Sequence, residues 1–318
     1  MRRRGRWVRA GAVLVAAGVV CGCGGRAPAA GGVVIEPGEL LFRNARAGAG
    51  NGMVASSAVG APDGPRRVGS LNCVRVYAAA GTGVCLTMRR GGTPVTDLVV
   101  FDRSLREKQR VPITGLPSRA RVSPSGRMVS WTVFVTGDAY TGRGMSTRTG
   151  VLDTRTGATL SSLESFKLIR DGAPDRSADL NYWGVTFAAD DDRFYATAKT
   201  RGVAYLVVGR MSGRSMRALR ANAECPSLSP DGTRLAFKKA TGVRSRPWRL
   251  HVLDLGTMRE TALAERASVD DQAAWLDDRT VMYGRADGTS TDVWAVPADG
   301  SGAPRKLIAD AFSPAVVR

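Results

Sequence analysis

A short turn motif recurs along the chain and constrains its fold more than any other feature. The clearest copy, residues 229–237, reads Ser-Pro-Asp-Gly-Thr-Arg-Leu-Ala-Phe. Residues 123–131 repeat it closely, residues 188–196 repeat it loosely, and residues 276–283 form a fourth copy. Asp and Gly accept the positive φ and the local hydrogen bonds that a two-strand hairpin needs. Each copy therefore predicts a tight turn between two short strands.

The segments after each turn extend the hairpin to four strands. A third strand that ends in a polar turn follows, as in 250–256 and 292–300, and then a short fourth strand such as 304–308. The glycines that follow the third strands are spaced 56, 43 and 44 residues apart, and they are Gly157, Gly213, Gly256 and Gly300. This spacing is near the period of about 40 to 50 residues that is typical of β-propeller blades.

The two ends of the chain predict how a ring of such units closes. Residues 72–114 form another four-strand unit, with residues 95–102 as its third strand. The region before it supplies three strands, and the last run, 311–317, has the pattern of a first strand with no blade after it. Pairing these two ends leaves no open sheet edge. We therefore predict an all-β, six-bladed β-propeller with four-stranded blades, whose first blade is closed by the C-terminal strand.

The Ser-Pro-Asp-Gly turn and the strand Arg234-Leu235-Ala236-Phe237 that follows it resemble the repeat of TolB-type propellers. The resemblance covers roughly residues 35–318. It implies a six-bladed, non-enzymatic propeller that is exported across the inner membrane and makes protein contacts. TolB proper has a smaller α/β domain before its propeller, and the roughly ten residues between Cys23 and the first predicted strand leave no room for one.

The first thirty residues are typical of a bacterial export signal. Five arginines within Met1–Arg9 precede the apolar run Ala10–Val20, which is too short to span a bilayer, since a spanning helix needs about 20 apolar residues. Val20, Gly22 and Cys23 resemble the lipobox of bacterial lipoproteins, in which the cysteine after a small residue receives the lipid.

These features divide the chain into three parts. We predict a lipoprotein signal peptide over 1–22 with lipid attachment at Cys23, a flexible tether over 23–34 and the propeller over 35–318. The alternative is cleavage at Ala27-Pro28-Ala29, which would give a soluble secreted product. The lipid anchor predicts a location on the extracytoplasmic face of the cell membrane.

Three cysteines follow the predicted leader, at positions 73, 85 and 225. An exported protein lies where disulfides persist. Cys73 and Cys85 lie on two strand-like runs joined by a turn of Gly and Ala, so antiparallel pairing places them opposite each other, at a separation a disulfide can bridge. We predict a disulfide between Cys73 and Cys85, and a buried, inert thiol at Cys225.

The charge of the chain is strongly positive. The sequence contains 46 Lys and Arg against 28 Asp and Glu, a net charge of +18, and residues 1–22 hold five arginines and no acid, so their removal leaves +13. Because strand direction alternates within a blade, the loops between second and third strands share one face with the connectors between blades. The longest insertions, at 137–150 and 164–182, emerge on that face, where loop extension often builds a site.

The predicted binding face takes its residues from these loops. It consists of Arg89, Arg90, Tyr140, Arg143, Arg148, Tyr182, Trp183, Arg244 and Arg246. A protein partner or an anionic cell-envelope ligand is expected to bind there, whereas nucleic acid is disfavoured by the compartment. The alternative interpretation is a basic face that is simply solvated.

Enzymatic chemistry finds little support in the sequence. His251 is the single histidine, which excludes multi-histidine metal sites, and the chain contains no Gly-x-Ser-x-Gly motif. Acidic runs at 190–192, 270–271 and 277–278 are candidates for calcium, but hairpin turns explain the first and last. We predict a monomeric, non-catalytic binding module without cofactor or metal ion. The alternative is a propeller hydrolase or lyase that acts on an extracytoplasmic sugar or lactone, with acids or a metal converging on the axial funnel.

Overall fold

The computed structural model of the protein describes residues 32–89, 95–135, 146–288 and 290–318. The first eleven strands lie in blades 1 to 3, and blade 1 takes its fourth strand from the C-terminal end of the chain. Blade 1 contains β1 (Glu39–Asn44), β2 (Met53–Ala58) and β3 (Arg67–Asn72). Blade 2 contains β4 (Arg75–Ala79), β5 (Thr82–Arg89), β6 (Val95–Phe101) and β7 (Glu107–Thr114). Blade 3 contains β8 (Leu116–Val122), β9 (Met128–Val135), β10 (Ser146–Asp153) and β11 (Thr159–Leu160). Neighbouring strands within each blade pair antiparallel.

Blade 4 is wider than the sequence predicted. One turn of 3-10 helix, Leu163–Ser165, precedes a hairpin of β12 (Lys167–Arg170) and β13 (Ala173–Asp175). The four blade strands are β14 (Asn181–Phe187), β15 (Arg193–Thr200), β16 (Val203–Arg210) and β17 (Ser215–Ala221). Strand β12 pairs parallel with β17, so the hairpin extends the sheet outward to six strands. The insertion over 164–182 is therefore not a loop over the face but in large part an addition to the outer edge of the blade.

Blades 5 and 6 complete the ring. They contain β18 (Glu224–Leu228), β19 (Arg234–Ala240), β20 (Trp248–Asp254) and β21 (Glu260–Ala262), then β22 (Ala274–Asp277), β23 (Thr280–Asp287), β24 (Ser290–Pro297) and β25 (Arg305–Ile308). The last strand, β26 (Ala311–Val316), pairs antiparallel with β1, with Leu40 opposite Val316. The six inner strands β26, β4, β8, β14, β18 and β22 are neighbours in a closed circle. The predicted six-bladed propeller and its closure by the C-terminal strand are confirmed.

The repeated turn motif forms the hairpins between the first and second strands. In the best copy, the backbone N–H of Gly232 donates to the Ser229 carbonyl at 2.9 Å, and Ser229 Oγ accepts from the Arg234 N–H at 3.0 Å. The copy in blade 3 repeats both contacts, because Gly126 donates to the Ser123 carbonyl and Ser123 Oγ accepts from Met128. Both glycines have positive φ, +71° and +81°, a conformation that side chains other than hydrogen disfavour.

The disulfide between Cys73 and Cys85 joins the connector after blade 1 to strand β5, with the two Cα atoms 5.4 Å apart. Both cysteines are buried in an apolar cluster that also contains Leu41 of blade 1 and Val99 of blade 2. The predicted disulfide is confirmed, but the predicted register is not, because Cys85 lies opposite Val76 in the β4–β5 pair and Cys73 precedes β4. The disulfide therefore fixes blade 2 close to the blade that the two chain termini close.

Candidate binding face and axial channel

Alternating strand direction gives the ring two different faces. The turn face carries the hairpins between third and fourth strands and, in blades 2 to 6, the hairpins between first and second strands. The loop face carries the loops between second and third strands, together with the connectors between blades. Each inner strand begins at the loop face, so Arg75 at the start of β4 and the connector residues before β22 lie on that side of the molecule.

The structure places part of the predicted binding face at the surface. Arg244 and Arg246 are exposed in the loop between β19 and β20. Arg89 is also exposed, at the end of β5, and its guanidinium forms an ion pair with Asp97 at 2.8 Å. Arg148 is half-buried on β10. The other predicted members of this part of the face lie outside the described residues, and they are Arg90, Tyr140 and Arg143.

Tyr182 and Trp183, which the sequence assigned together to the binding face, lie in different environments. The Tyr182 side chain is 1% exposed and packs in the core cluster of blade 4. Burial raises the pKa of its phenol, and its ring is not available to a partner. Trp183 is half-buried on β14. Successive side chains of a strand point to opposite sides, which explains why the two residues separate.

A cationic cleft, which we call the blade 5 cleft, opens beside the loop between β19 and β20. It has a volume of about 310 Å³. Its lining consists of Thr241, Val243, Arg246, Trp248, Arg249 and Arg266. Among the described residues that line it, three are arginines and none is an acid. Val243 is 47% exposed, so the cleft offers an apolar wall and an indole ring beside three guanidinium groups.

The walls of the blade 5 cleft are held in place by hydrogen bonds. Thr241 Oγ1 donates to the Arg246 carbonyl at 2.6 Å, which fixes the loop across its own base. The Trp248 backbone N–H donates to Ser268 Oγ at 3.2 Å. Arg249 Nη2 donates to the Leu263 carbonyl at 3.2 Å, while its buried Nε has no hydrogen-bond partner among the described residues. The cleft is therefore formed before any ligand arrives.

Lys238 separates the blade 5 cleft from the axis of the ring. Its ammonium lies 4.2 Å from the centre of the Trp248 indole and 2.5 Å from Asp270 Oδ1. On the axial side of Lys238, burial raises the pKa of Glu224, and the positive charges of Lys238 and Lys199 oppose that rise. At the mouth of the channel, Lys238 and Lys199 thus lie near the acids Asp270 and Glu224. The arginines of the cleft do not belong to this group of paired charges.

Side chains cross the axial channel and tie the blades together. Arg121 of β8 donates through Nη2 to Ser227 Oγ at 3.2 Å and to the Ala273 carbonyl. Gln272 donates through Nε2 to the carbonyls of Val185 at 3.2 Å and Pro226 at 2.9 Å. These bonds join blades 3, 4, 5 and 6 across the axis. The axis is therefore occupied by protein side chains at this level and is not an open funnel.

Several cations of the loop face are neutralised by acids that lie far from them in sequence. Lys239 Nζ is 2.6 Å from Glu260 Oε1, and Arg285 Nη1 is 2.9 Å from Glu265 Oε2. His251 also contacts Glu260, with 2.8 Å between Nδ1 and Oε1. No group of three or more His, Cys, Asp or Glu side chains is placed to hold a metal ion in the part of the chain that the structure describes.

Of the six residues that line the blade 5 cleft, only Arg246 was predicted from the sequence, and the missing ones include Trp248, Arg249 and Arg266. Trp248 and Arg249 follow closely on the predicted Arg246, so a wider definition of that loop would have included them. Arg266 is not close in sequence to any predicted residue of this loop, so the sequence did not indicate it. It belongs to the connector between β21 and β22, which the fold brings beside the loop between β19 and β20.

Comparison with solved structures places the fold. TolB from Acinetobacter baumannii is similar over 88% of this chain and 67% of its own, with a TM-score of 0.62 at 14% identity. The fold is TolB-like. A protein assigned as TolB from Agrobacterium tumefaciens matches over 88% of this chain and 91% of its own, with a TM-score of 0.52 at 12% identity. A chain of the nidogen/laminin complex matches over 87% and 97%, with a TM-score of 0.55 at 13% identity. No family model and no curated protein matches the sequence.

The predicted signal peptide and the lipid site Cys23 lie outside the described residues. Within the described ranges, no helix is long and apolar enough to cross a membrane. Cys225 is buried and is not in a disulfide.

Proposed function

We propose that the chain is a lipid-anchored, extracytoplasmic binding module whose propeller holds an acidic segment of a protein partner in the blade 5 cleft. The observation that carries this proposal is the lining of the cleft, where Arg246, Arg249 and Arg266 surround Trp248 and the described lining residues include no acid. A surface of this kind is complementary to carboxylates, and the net positive charge of the chain steers an acidic partner toward it.

The chemistry of the cleft suits a peptide better than a simple polyanion. Planar guanidinium groups bind carboxylates through two parallel hydrogen bonds. Trp248 and the exposed Val243 add apolar area next to these charges, which is the composition of energetic centres in protein interfaces. The loop is held by the bond from Thr241 to the Arg246 carbonyl, so little ordering of this segment is needed on binding.

Two further observations support a binding role. Arg121 and Gln272 occupy the axis of the ring, where the alternative hydrolase or lyase would need space for a sugar or lactone. One of the structures of similar fold comes from a complex between two proteins, nidogen and laminin. A rigid propeller that presents one cationic cleft and has its axis filled by side chains is suited to holding a partner.

Site-specific photo-crosslinking in cells tests the proposal. A photoreactive phenylalanine at Val243, on the wall of the cleft, is expected to give one adduct with a single envelope protein. The same residue at Arg155, which is exposed on the turn face, serves as the matched control and is expected to give no such adduct. The adduct is identified by mass spectrometry.

A second arm separates specific binding from chance proximity. The Val243 adduct is expected to disappear when Arg246→Glu and Arg266→Glu are added, because two attractive charges become repulsive. Adducts of equal yield at Val243 and Arg155 would contradict a partner in the cleft. Adducts with lipid or wall polymer but not with protein would show instead that the ligand is an anionic envelope component.

The membrane anchor has its own test. Cells that express the full chain are labelled with radioactive palmitate, and Cys23→Ser is compared with wild type. We expect label on the wild-type protein and none on Cys23→Ser, which should leave the membrane fraction. An unlabelled wild-type product that starts near Ala30 would contradict the anchor and support secretion as a soluble protein.

A further inference from the structure

Three arginines from two neighbouring blades converge inside the axial channel. Arg75 begins β4, and Arg119 and Arg121 project from β8. The side chains of Arg75 and Arg119 are 15% and 11% exposed, and Arg121 is 4% exposed. They surround a cavity of about 20 Å³, whose other lining residues are Tyr77, Ala120, Asp271, Gln272, Ser313 and Pro314. We call it the axial cavity.

The guanidinium groups around the axial cavity keep several N–H donors unused. The Nε atoms of Arg75, Arg119 and Arg121, and Nη1 of Arg75, are buried and have no hydrogen-bond partner among the described residues. Buried N–H groups on a charged side chain are costly without an acceptor. The donors are therefore matched by too few acceptors from the protein itself.

The acids near the axial cavity do not balance its positive charge. Asp271 Oδ1 lies 3.5 Å from Arg75 Nη1, and its Oδ2 accepts from the Gly284 N–H. Asp270 is shared between Lys238 at 2.5 Å and Arg119 at 3.6 Å. The three arginines that line the cavity thus face one lining carboxylate, Asp271, and compete with Lys238 for the second, Asp270, so positive charge is in excess around the cavity. Burial lowers the pKa of Arg75 to about 10, and the nearby charge of Arg119 contributes.

We propose that the axial cavity binds one monatomic anion, chloride in the cell envelope, held by the unused N–H groups of Arg75, Arg119 and Arg121. A cavity of this size holds a single water-sized particle, which excludes carboxylate, sulfate and phosphate. The one carboxylate in the lining, Asp271, already faces Arg75 through Oδ1 and accepts from Gly284 through Oδ2, so it offers little to the two O–H donors of a water molecule. A halide ion only accepts hydrogen bonds, so it satisfies the guanidinium groups and reduces their mutual repulsion.

The anion would act on the stability of the ring. Arg75 belongs to blade 2, Arg119 and Arg121 belong to blade 3, and Arg121 already contacts blades 5 and 6 through Ser227 and Ala273. An ion bound between them links these blades at the axis. It lies apart from the blade 5 cleft, so this inference does not depend on the proposed partner.

Thermal unfolding in different salts tests the site. The full chain is unfolded in sodium chloride and in sodium gluconate at equal ionic strength, which screens surface charges equally. At 300 mM salt we expect the Tm to be about 4 °C higher in chloride, because an ion that binds the native state raises its stability with concentration. Arg75→Gln should lose most of this difference, and Arg155→Gln on the turn face should keep it.

A thiol variant and a heavier halide complete the test. Cys225→Ser should keep the chloride effect, since the thiol beside Arg119 is not part of the proposed site. Crystals of the wild-type chain soaked in bromide should show one anomalous peak between the three arginines, a measurement that needs no variant to fold. The proposal would be overturned by equal Tm values in the two salts, or by loss of the chloride effect in Cys225→Ser alone. It would also be overturned by bromide-soaked crystals that show only water in the cavity.

Discussion

On the turn face, several arginines are paired with acids of the same or the neighbouring turn, whereas in the blade 5 cleft three arginines gather around a tryptophan. Arg127 contacts Asp153 at 2.6 Å, and Arg210 contacts Asp192 at 2.8 Å. A larger cavity, of about 550 Å³, opens between blades 4 and 5 on the turn face. Two of the arginines that line it are also paired: Arg193 lies 4.0 Å from Asp190, and Arg210 lies 2.8 Å from Asp192.

The difference follows from what each kind of segment needs in order to fold. A tight hairpin often uses Asp, Ser or Gly for its backbone hydrogen bonds, so several turns supply an acid near an arginine, as Asp231 does for Arg234. The turn acids also join the blades, since Ser125 donates to Asp191 and the Asp231 N–H donates to Asp278. The longer loop over 241–247 has no such requirement. Its arginines therefore remain available for a ligand.

The largest expected effect is on binding and concerns the cleft alone. Arg246→Glu with Arg266→Glu should weaken the partner complex at least about 1,000-fold, because two charge-assisted hydrogen bonds are lost and two repulsions are added. The Tm should change by less than about 1 °C, since both side chains are exposed. Calorimetric titration with the partner that crosslinking identifies measures the affinity, and a thermal melt measures the Tm. A large loss of Tm would show that the cleft is structural and would remove the contrast.

A smaller effect, on stability, is expected from Asp231 on the turn face. Its carboxylate accepts hydrogen bonds from Ser229, from the backbone and hydroxyl of Thr233 and from Arg234, and the pKa of Asp231 is lowered although burial opposes this. Asp231→Asn should reduce the free energy of unfolding by about 3 kcal/mol, because the charge that these donors favour is removed.

The control for this prediction is Asp171→Asn. Asp171 also contacts an arginine, but it is 82% exposed, so its removal should cost almost nothing. Chemical denaturation measures both variants, and neither should alter partner binding. Equal costs for Asp231→Asn and Asp171→Asn would show that pairing on the turn face does not stabilise the ring.

The smallest expected effect is the pH dependence of the pair between Asp153 and Arg127. The hydrogen bond from Arg127 lowers the pKa of Asp153 to about 2, from 3.8. A carboxylate with a lowered native pKa stabilises the fold above its unfolded pKa, and this contribution is lost as the pH falls from about 4 to 2. Asp153→Asn should cost about 2 kcal/mol at pH 7 and nearly nothing at pH 2. A cost that is independent of pH would show that packing, not charge, is what the side chain provides.

Much of the fold was predictable because it depends on neighbours in sequence. The turn motif at 229–232 specifies its hairpin through contacts between residues five apart or fewer. The blade period and the unmatched strand at the C-terminus then predicted the closed ring, and the spacing of Cys73 and Cys85 predicted the disulfide. The hairpin β12–β13 escaped prediction because β12 is stabilised by parallel pairing with β17, which lies beyond a complete blade hairpin.

The candidate site was predicted less completely, for a related reason. Arg244 and Arg246 were assigned to a loop from the order of strands, and they are exposed where that order places them. Tyr182 was assigned to the same surface because it ends an insertion, but the start of β14 turns its ring into the core. The burial of one strand residue depends on which neighbouring blade packs against it, and sequence spacing does not contain that information.

The sequence by itself thus determined the number of blades, the turns, the closure and the disulfide, since each arises from backbone conformation and from a regular period. Tertiary structure alone decided which charges meet. It brings Arg266 beside Arg246, pairs Arg285 with Glu265 and places Arg75 next to Arg119 around the axial cavity. Electrostatic interactions depend on distance in space and on burial, and residues 20 or more positions apart in the sequence acquire both only when the blades fold and pack.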